Sequence, residues 1–153
     1  MATQYLELYD NNSVWARRLA SLYELGDKLA KKVARHYVEV DGVKVGSNVG
    51  ELAKAWKSRR EIGTMDGQSG EIWSYPEIGV KVVVESIVNR IILADAKSPK
   101  FGNGLGIGST RVALEKVLGQ PVSLRQGYYC YNGAQPAAVL YQNGKAVEIV
   151  LLG

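Results

Sequence analysis

Few residues in this chain have the means to do chemistry. His36 is the only histidine and Cys130 the only cysteine among 153 residues. Nucleophilic catalysis needs a hydroxyl or thiol within reach of a base that a third group orients. His36 ends a basic stretch with helical spacing, where an imidazole suits a helix C-terminus electrostatically and serves as a surface residue. No G-x-S-x-G surrounds any serine, and Ser69 belongs to the turn-forming run Asp66-Gly67-Gln68-Ser69-Gly70. Cys130 sits in Tyr128-Tyr129-Cys130-Tyr131, where strand alternation buries it on one face as a small apolar side chain. With one cysteine, neither an intrachain disulfide nor a thiolate metal cage can form. The glycine run from Gly102 through Gly104, Gly106 and Gly108 to Ser109-Thr110 opens a helix and invites a phosphate-binding reading. It matches neither G-x-G-x-x-G nor G-x-x-x-x-G-K-[ST], so it reads as a loop ending in a helix cap. No metal, no cofactor and no enzymatic activity are expected.

Charge and aromatic residues carry the remaining functional signal. Of 19 Lys/Arg and 15 Asp/Glu, residues 1–60 hold 11 and 7, so the whole net charge of +4 lies in that part. Arg17, Arg18, Lys28, Lys31, Lys32 and Arg35 form a set able to contact a polyanion. Lys54, Lys57, Arg59 and Arg60 form a second basic stretch, read as a solvated helix end. Trp73, Tyr75, Tyr129, Tyr131 and Tyr141 fall on alternate positions of strand-like segments. Alternation puts them on matching sides, either in the core or on a sheet face presented to a partner. The second arrangement makes them partner-binding residues, because Tyr and Trp are typical interface anchors.

The elements that must position these residues can be read from periodicity. Trp15, Leu19, Leu22, Gly26, Leu29 and Val33 line one face of a helix over 14–36, started by Asn12 or Ser13. Alternation on either side of Asp41-Gly42 predicts a hairpin. The strongest feature is an internal repeat. Val45-Gly46-Ser47-Asn48, followed by a helix to Trp56, aligns with Ile107-Gly108-Ser109-Thr110, followed by a helix to Leu118. Asn48 and Glu51 have capping-box spacing, and Val49, Leu52, Ala53 and Trp56 form a core-facing stripe. Four strands follow each helix: 61–65, 71–75, 80–85 and 88–93 in the first copy, then 122–125, 128–131, 137–142 and 146–152 in the second. Asn143-Gly144 marks the last hairpin, since a type I′ turn needs positive φ at both central positions.

The expected fold is therefore α+β. Two tandem α-β(3-4) repeats form antiparallel sheets with helices on one face, preceded by the long N-terminal amphipathic helix. The organisation is a helical extension and lead-in strand over 1–42, repeat 1 over 43–101 and repeat 2 over 102–153, as one compact domain. No stretch is long and apolar enough to span a membrane. The start lacks a charged segment followed by an apolar one, which places the protein in the cytoplasm if Met1 is the native start. If a signal peptide preceded it, the protein is exported.

The repeat resembles the β-lactamase-inhibitor-protein-like fold and its relatives, the outer-membrane assembly lipoproteins of the SmpA/OmlA type. Gly46-Ser47 with the helix to Trp56, and Gly108-Ser109 with Leu114, Val117, Leu118, Gly119, Gln120 and Pro121, carry the likeness. Tyr75 to Val80 leading to Val88 and Ile91, and Asn143-Gly144-Lys145 leading to Val147 and Ile149, extend it over residues 43–153. The first copy departs by having Lys57-Ser58-Arg59-Arg60 where the pattern has Leu-Gly-x-Pro, and no lipobox cysteine is present. The resemblance implies a non-catalytic binding scaffold. The expected function is a protein-binding module, with inhibition of the partner as one option, presenting an aromatic sheet face and the hairpin loops Asp66–Gly70 and Asn132–Pro136. The alternatives are a nucleic-acid- or polyanion-binding accessory protein using the basic helix, and a small-ligand binder with a pocket between the repeats. A homo-oligomer held by the N-terminal helix is a further expectation.

Overall fold

Each repeat begins with the same local chemistry. Ser47 Oγ accepts the Lys44 amide at 3.0 Å, and Ser109 Oγ accepts the Gly106 amide at 2.9 Å. Asn48 Oδ1 then caps its helix by accepting from Glu51 N, and Thr110 Oγ1 does so from Ala113 N. Gly46 and Gly108 both have positive φ, at 96° and 88°, a conformation that costs L side chains energy. The computed structural model describes residues 34–64 and 70–153. Helices α1 (Val49–Ala55) and α2 (Arg111–Leu118) follow the two caps.

The strands are β1 (Glu61–Thr64), β2 (Glu71–Tyr75), β3 (Val80–Glu85) and β4 (Ile87–Leu93), then β5 (Pro121–Arg125), β6 (Tyr128–Asn132), β7 (Pro136–Gln142) and β8 (Lys145–Leu152). All eight join one antiparallel sheet in the order β1-β2-β3-β4-β8-β7-β6-β5. The two meanders therefore meet at their last strands, where Ile91 pairs with Leu151 and Leu93 with Ile149. Registers repeat across this junction. Trp73 opposes Val82, which opposes Ile91; Tyr129 opposes Val139, which opposes Ile149. Register shifts fall at matching places, between Val83 and Val84 and between Leu140 and Tyr141. Each helix start is tied to the last strand of its own repeat. Gly46 N donates to Val88 O and Val88 N to Ser47 O; Gly108 N donates to Ala146 O and Ala146 N to Ser109 O. The arrangement has approximate two-fold symmetry about the β4–β8 seam.

Both helices pack on one face. Leu52 from α1 and Trp56 at its C-cap, with Leu114 and Leu118 from α2, share a core with Trp73, Tyr75, Val82, Ile91, Tyr131, Val139, Ile149 and Leu151. The expected stripe on α1 is corrected at one position: Ala53 is exposed, and Ala55 packs against the core instead. In so short a helix Leu52 and Trp56 (i, i+4) fix the buried face, and Ala53 falls outside it. The Asp41-Gly42 turn forms, with both residues at positive φ, but its strands reduce to one bridge between Val40 and Val43. Val40 also bridges Phe101, so the lead-in joins the inter-repeat loop rather than extending as a hairpin.

The N-terminal helix expected over 14–36 falls outside the described residues except at its end. Residues 34–36 are not helical. Arg35 and His36 are drawn instead to the β6–β7 loop: His36 N donates to Ala134 O at 2.8 Å, and the Arg35 guanidinium donates to the Gly133 carbonyl and to Asn132 Oδ1. Among the described residues, no helix is long and apolar enough to cross a membrane.

Leu52 and Leu114 are equivalent and fully buried. Replacing either with Ala is expected to cost about 2–5 kcal/mol, from lost burial plus a cavity. Ala53→Gln, at an exposed position, should stay within about 0.5 kcal/mol. Urea unfolding of the three variants checks both expectations.

Candidate functional site

Register determines where the aromatic residues go. Trp73, Tyr75, Tyr129, Tyr131 and Tyr141 share one side of the sheet, as their alternation required, but that side is the one the helices cover. Trp73, Tyr75 and Tyr131 are buried, while Tyr129 and Tyr141 are half-buried. The expected exposed aromatic sheet face is thus corrected. These rings fill the space between sheet and helices, where large side chains bury the most apolar area. Trp56 packs on Tyr75 with ring centroids 5.3 Å apart, and Arg60 lies 4.8 Å over Trp73.

In repeat 2 the same positions hold a polar network. The first turn of α2 places Arg111, and one turn later Glu115, over β6 and β7. Arg111 Nε donates to Glu115 Oε2 at 2.8 Å, and Tyr131 Oη donates to that oxygen at 2.7 Å. A phenol has one proton. With that of Tyr131 committed to the carboxylate, the 2.8 Å contact between Tyr131 and Tyr141 is a donation from Tyr141. Tyr129 meets Tyr141 edge-on at 5.4 Å, and the Arg111 guanidinium stacks 4.2 Å over Tyr129.

The electrostatics follow from this geometry. Desolvation alone raises the Glu115 carboxyl, but the hydrogen bonds from Arg111 and Tyr131 and the Arg111 charge outweigh it, so its pKa lies below the usual carboxylate value. Burial first, then the hydrogen bonds to Tyr141 and Glu115, push the Tyr131 phenol upward. An ionised carboxylate with a lowered pKa, whose Oε2 already accepts from Arg111 and Tyr131, is a poor general base at neutral pH. The cluster is a rigid scaffold of rings around a salt bridge, and its outer rim stays accessible. Arg111's side chain is 41% exposed, and Leu124, opposite Tyr129 on β5, is 57% exposed. Sequence reasoning missed Arg111, Glu115 and Leu124. The i, i+4 spacing of Arg111 and Glu115 was an available signal, whereas Leu124 depended on the β5–β6 register.

The other expected sites fare differently. Arg17, Arg18, Lys28, Lys31 and Lys32 lie outside the described residues, as do 66–69 of the first hairpin loop. Arg35 is engaged with the β6–β7 loop. That loop, over 132–136, is occupied by the lead-in: Val38 N donates to Gln135 Oε1, and the buried Gln135 donates to Leu152 O. It is a structural joint rather than a free recognition loop, because its carbonyls and amide are used within the fold. The glycine run forms a tight loop in which Asn103 Oδ1 accepts Leu105 N and Lys100 Nζ donates to Ile107 O. An open cleft of about 400 Å³ lies where the lead-in, this loop and α2 meet, lined by residues that include Arg35, His36, Tyr37, Lys44, Asn103 and Val117. Cys130 is buried, and burial pushes its thiol pKa up. Among the described residues, no three His, Cys, Asp or Glu side chains gather as metal ligands would.

No protein-family model, no curated protein and no solved structure matches this chain.

Symmetry supplies an internal control for the network. Tyr75 occupies the position of Tyr131, yet among the described residues its buried hydroxyl meets no partner in good hydrogen-bond geometry; burial pushes its phenol pKa up, and the nearby Arg60 guanidinium only partly offsets this. Tyr75→Phe should be neutral or slightly stabilising. Tyr131→Phe should cost about 1–3 kcal/mol by leaving a charged acceptor short of a donor. Glu115 adds a pH signature. Its stabilising contribution is complete above the ordinary carboxylate pKa and is lost as pH falls through the lowered folded-state value. The acid limb of a melting-temperature profile should flatten in Glu115→Gln.

Proposed function

We propose that the chain is a non-catalytic protein-binding module that takes an extended segment of its partner along β5. The observation carrying this reading is that, among the described residues, the sheet's two outermost strands hold three of the five exposed large apolar side chains: Ile62 on β1, and Val122 and Leu124 on β5. Among the described residues β5 pairs only with β6. Edge strands normally discourage pairing with charge, brevity or distortion. β5 does bulge near Pro121, but beyond that point Leu124 stands exposed opposite Tyr129, the ring that Arg111 and Tyr141 contact. Strand addition draws affinity from main-chain hydrogen bonds and specificity from pockets for alternate side chains. Tyr and Arg are the residues most often found where binding energy concentrates.

The network behind this rim supports the same reading. Tyr129 and Arg111 are held by Tyr141 and Glu115, so little rotamer entropy remains to be lost on binding. The resemblance to inhibitor-type helix-plus-meander scaffolds points in the same direction and suggests an inhibitory role.

Panning a random-peptide library against the full chain tests the proposal. Enriched peptides should show apolar residues at alternate positions. Leu124→Asp should weaken their binding about tenfold or more, in the range of a central interface residue. Failure to enrich any peptide, or peptides indifferent to Leu124→Asp, would contradict binding along β5.

A further inference from the structure

The two-fold symmetry of the sheet breaks on the face turned away from the helices. In repeat 1 that face carries Ile72, Ser74, Lys81 and Val83. At the matching positions repeat 2 carries Tyr128, Cys130, Ala138 and Leu140. Tyr128, Cys130 and Ala138 form a second buried apolar cluster with Val150 and Leu152, and Leu140 packs against it. Lys81, exposed in the first repeat, is replaced by an alanine with no exposure at all in the second. Tyr128 and Cys130 are each only 2% exposed, and Val150 and Leu152 are nearly as well buried. Yet among the described residues the hydrophobic side chains packed around its buried members are only Ile92 and Leu140, from the sheet itself. The outer side of a sheet face in water is not buried by its own strands; another layer has to lie on it.

We propose that residues 14–33 form that layer, laid along β6, β7 and β8 of the same chain as an amphipathic helix. The point where the described chain begins supports this. Arg35 and His36 are bound to the loop joining β6 and β7, the two strands that contribute Tyr128, Cys130, Ala138 and Leu140. The preceding segment is therefore released at one end of the apolar patch. Twenty helical residues reach about 30 Å, enough to run the length of these strands. A helix about 10 Å wide covers three strands spaced by nearly 5 Å. Trp15, Leu19, Leu22, Leu29 and Val33 supply one apolar face at matching spacing, and the lysines and arginines between them stay in water. Glu148, which accepts from the Tyr128 hydroxyl on this side, provides an acidic counterpart to the basic segment.

Cys130 is a native reporter at the centre of the patch. In the full chain its thiol should react slowly with a maleimide or disulfide reagent. Leu19→Glu with Leu22→Glu should accelerate labelling about tenfold or more by favouring local opening, while the Val139 amide, within the sheet on central strand β7, keeps its exchange protection. An unchanged labelling rate overturns the proposal. Cross-linking decides the matter if that variant does not fold. Cysteine is placed singly at Trp15, Leu19, Leu22, Leu29 and Val33 in the full chain, and a short bifunctional thiol reagent is added. At least one position should bridge to Cys130 within a monomer, and Lys31→Cys, on the opposite helical face, should not. Bridging only between chains assigns the patch to a second copy and overturns the proposal. So does the absence of bridging at all five positions.

Discussion

The structure depends on the pairing of β4 with β8. Each repeat alone is a helix on a four-stranded meander, with a half-covered apolar face and its last strand open at an edge. Joining the two last strands turns two open edges into the centre of one sheet and merges two small cores under two helices. Ile91, Leu93, Ile149 and Leu151, the residues that meet across the seam on the helix side, are all fully buried. The glycine-serine caps serve the same end. By bonding to Val88 and Ala146 they tie each helix start to the seam strand of its own repeat.

Duplication sets up a frame that the two halves then use differently. Beneath α1 the ring of Tyr75 packs on Trp56, and among the described residues its hydroxyl has no well-formed hydrogen bond, only the nearby Arg60. Beneath α2 the equivalent Tyr131 anchors a network through Glu115, Arg111 and Tyr141. On the outer face, Lys81 in one half corresponds to Ala138 in the other. Both differences concentrate specialised features in repeat 2, the half that also presents Leu124 at its edge.

Much of the architecture was legible because local chemistry and the fold agree. Positive φ at Asp41, Gly42, Asn143 and Gly144 is what those turn residues are suited for, and all eight expected strands form. Alternation puts the aromatic residues on one common side of the sheet, and that side is the helix-covered core instead of the expected exposed face. Period-two alternation separates two faces without saying which one a helix will cover, and that is decided by tertiary packing. The same limit hid Leu124, whose neighbours follow from a register that sequence does not fix. The end of the expected first helix was misread because the carbonyls that hold Arg35 and His36 lie almost a hundred residues away in the chain.

Native-state hydrogen exchange measured against denaturant tests the central role of the seam most directly. If β4–β8 pairing unites the halves, amides of Val82 in repeat 1 and Val139 in repeat 2 should exchange through one shared global opening. Their free energies should match those of Ile91 and Leu151 at the seam. Exchange of β2 and β3 at a distinctly lower free energy, while β6 to β8 stay protected, would show that the repeats open separately and that the seam does not carry the fold.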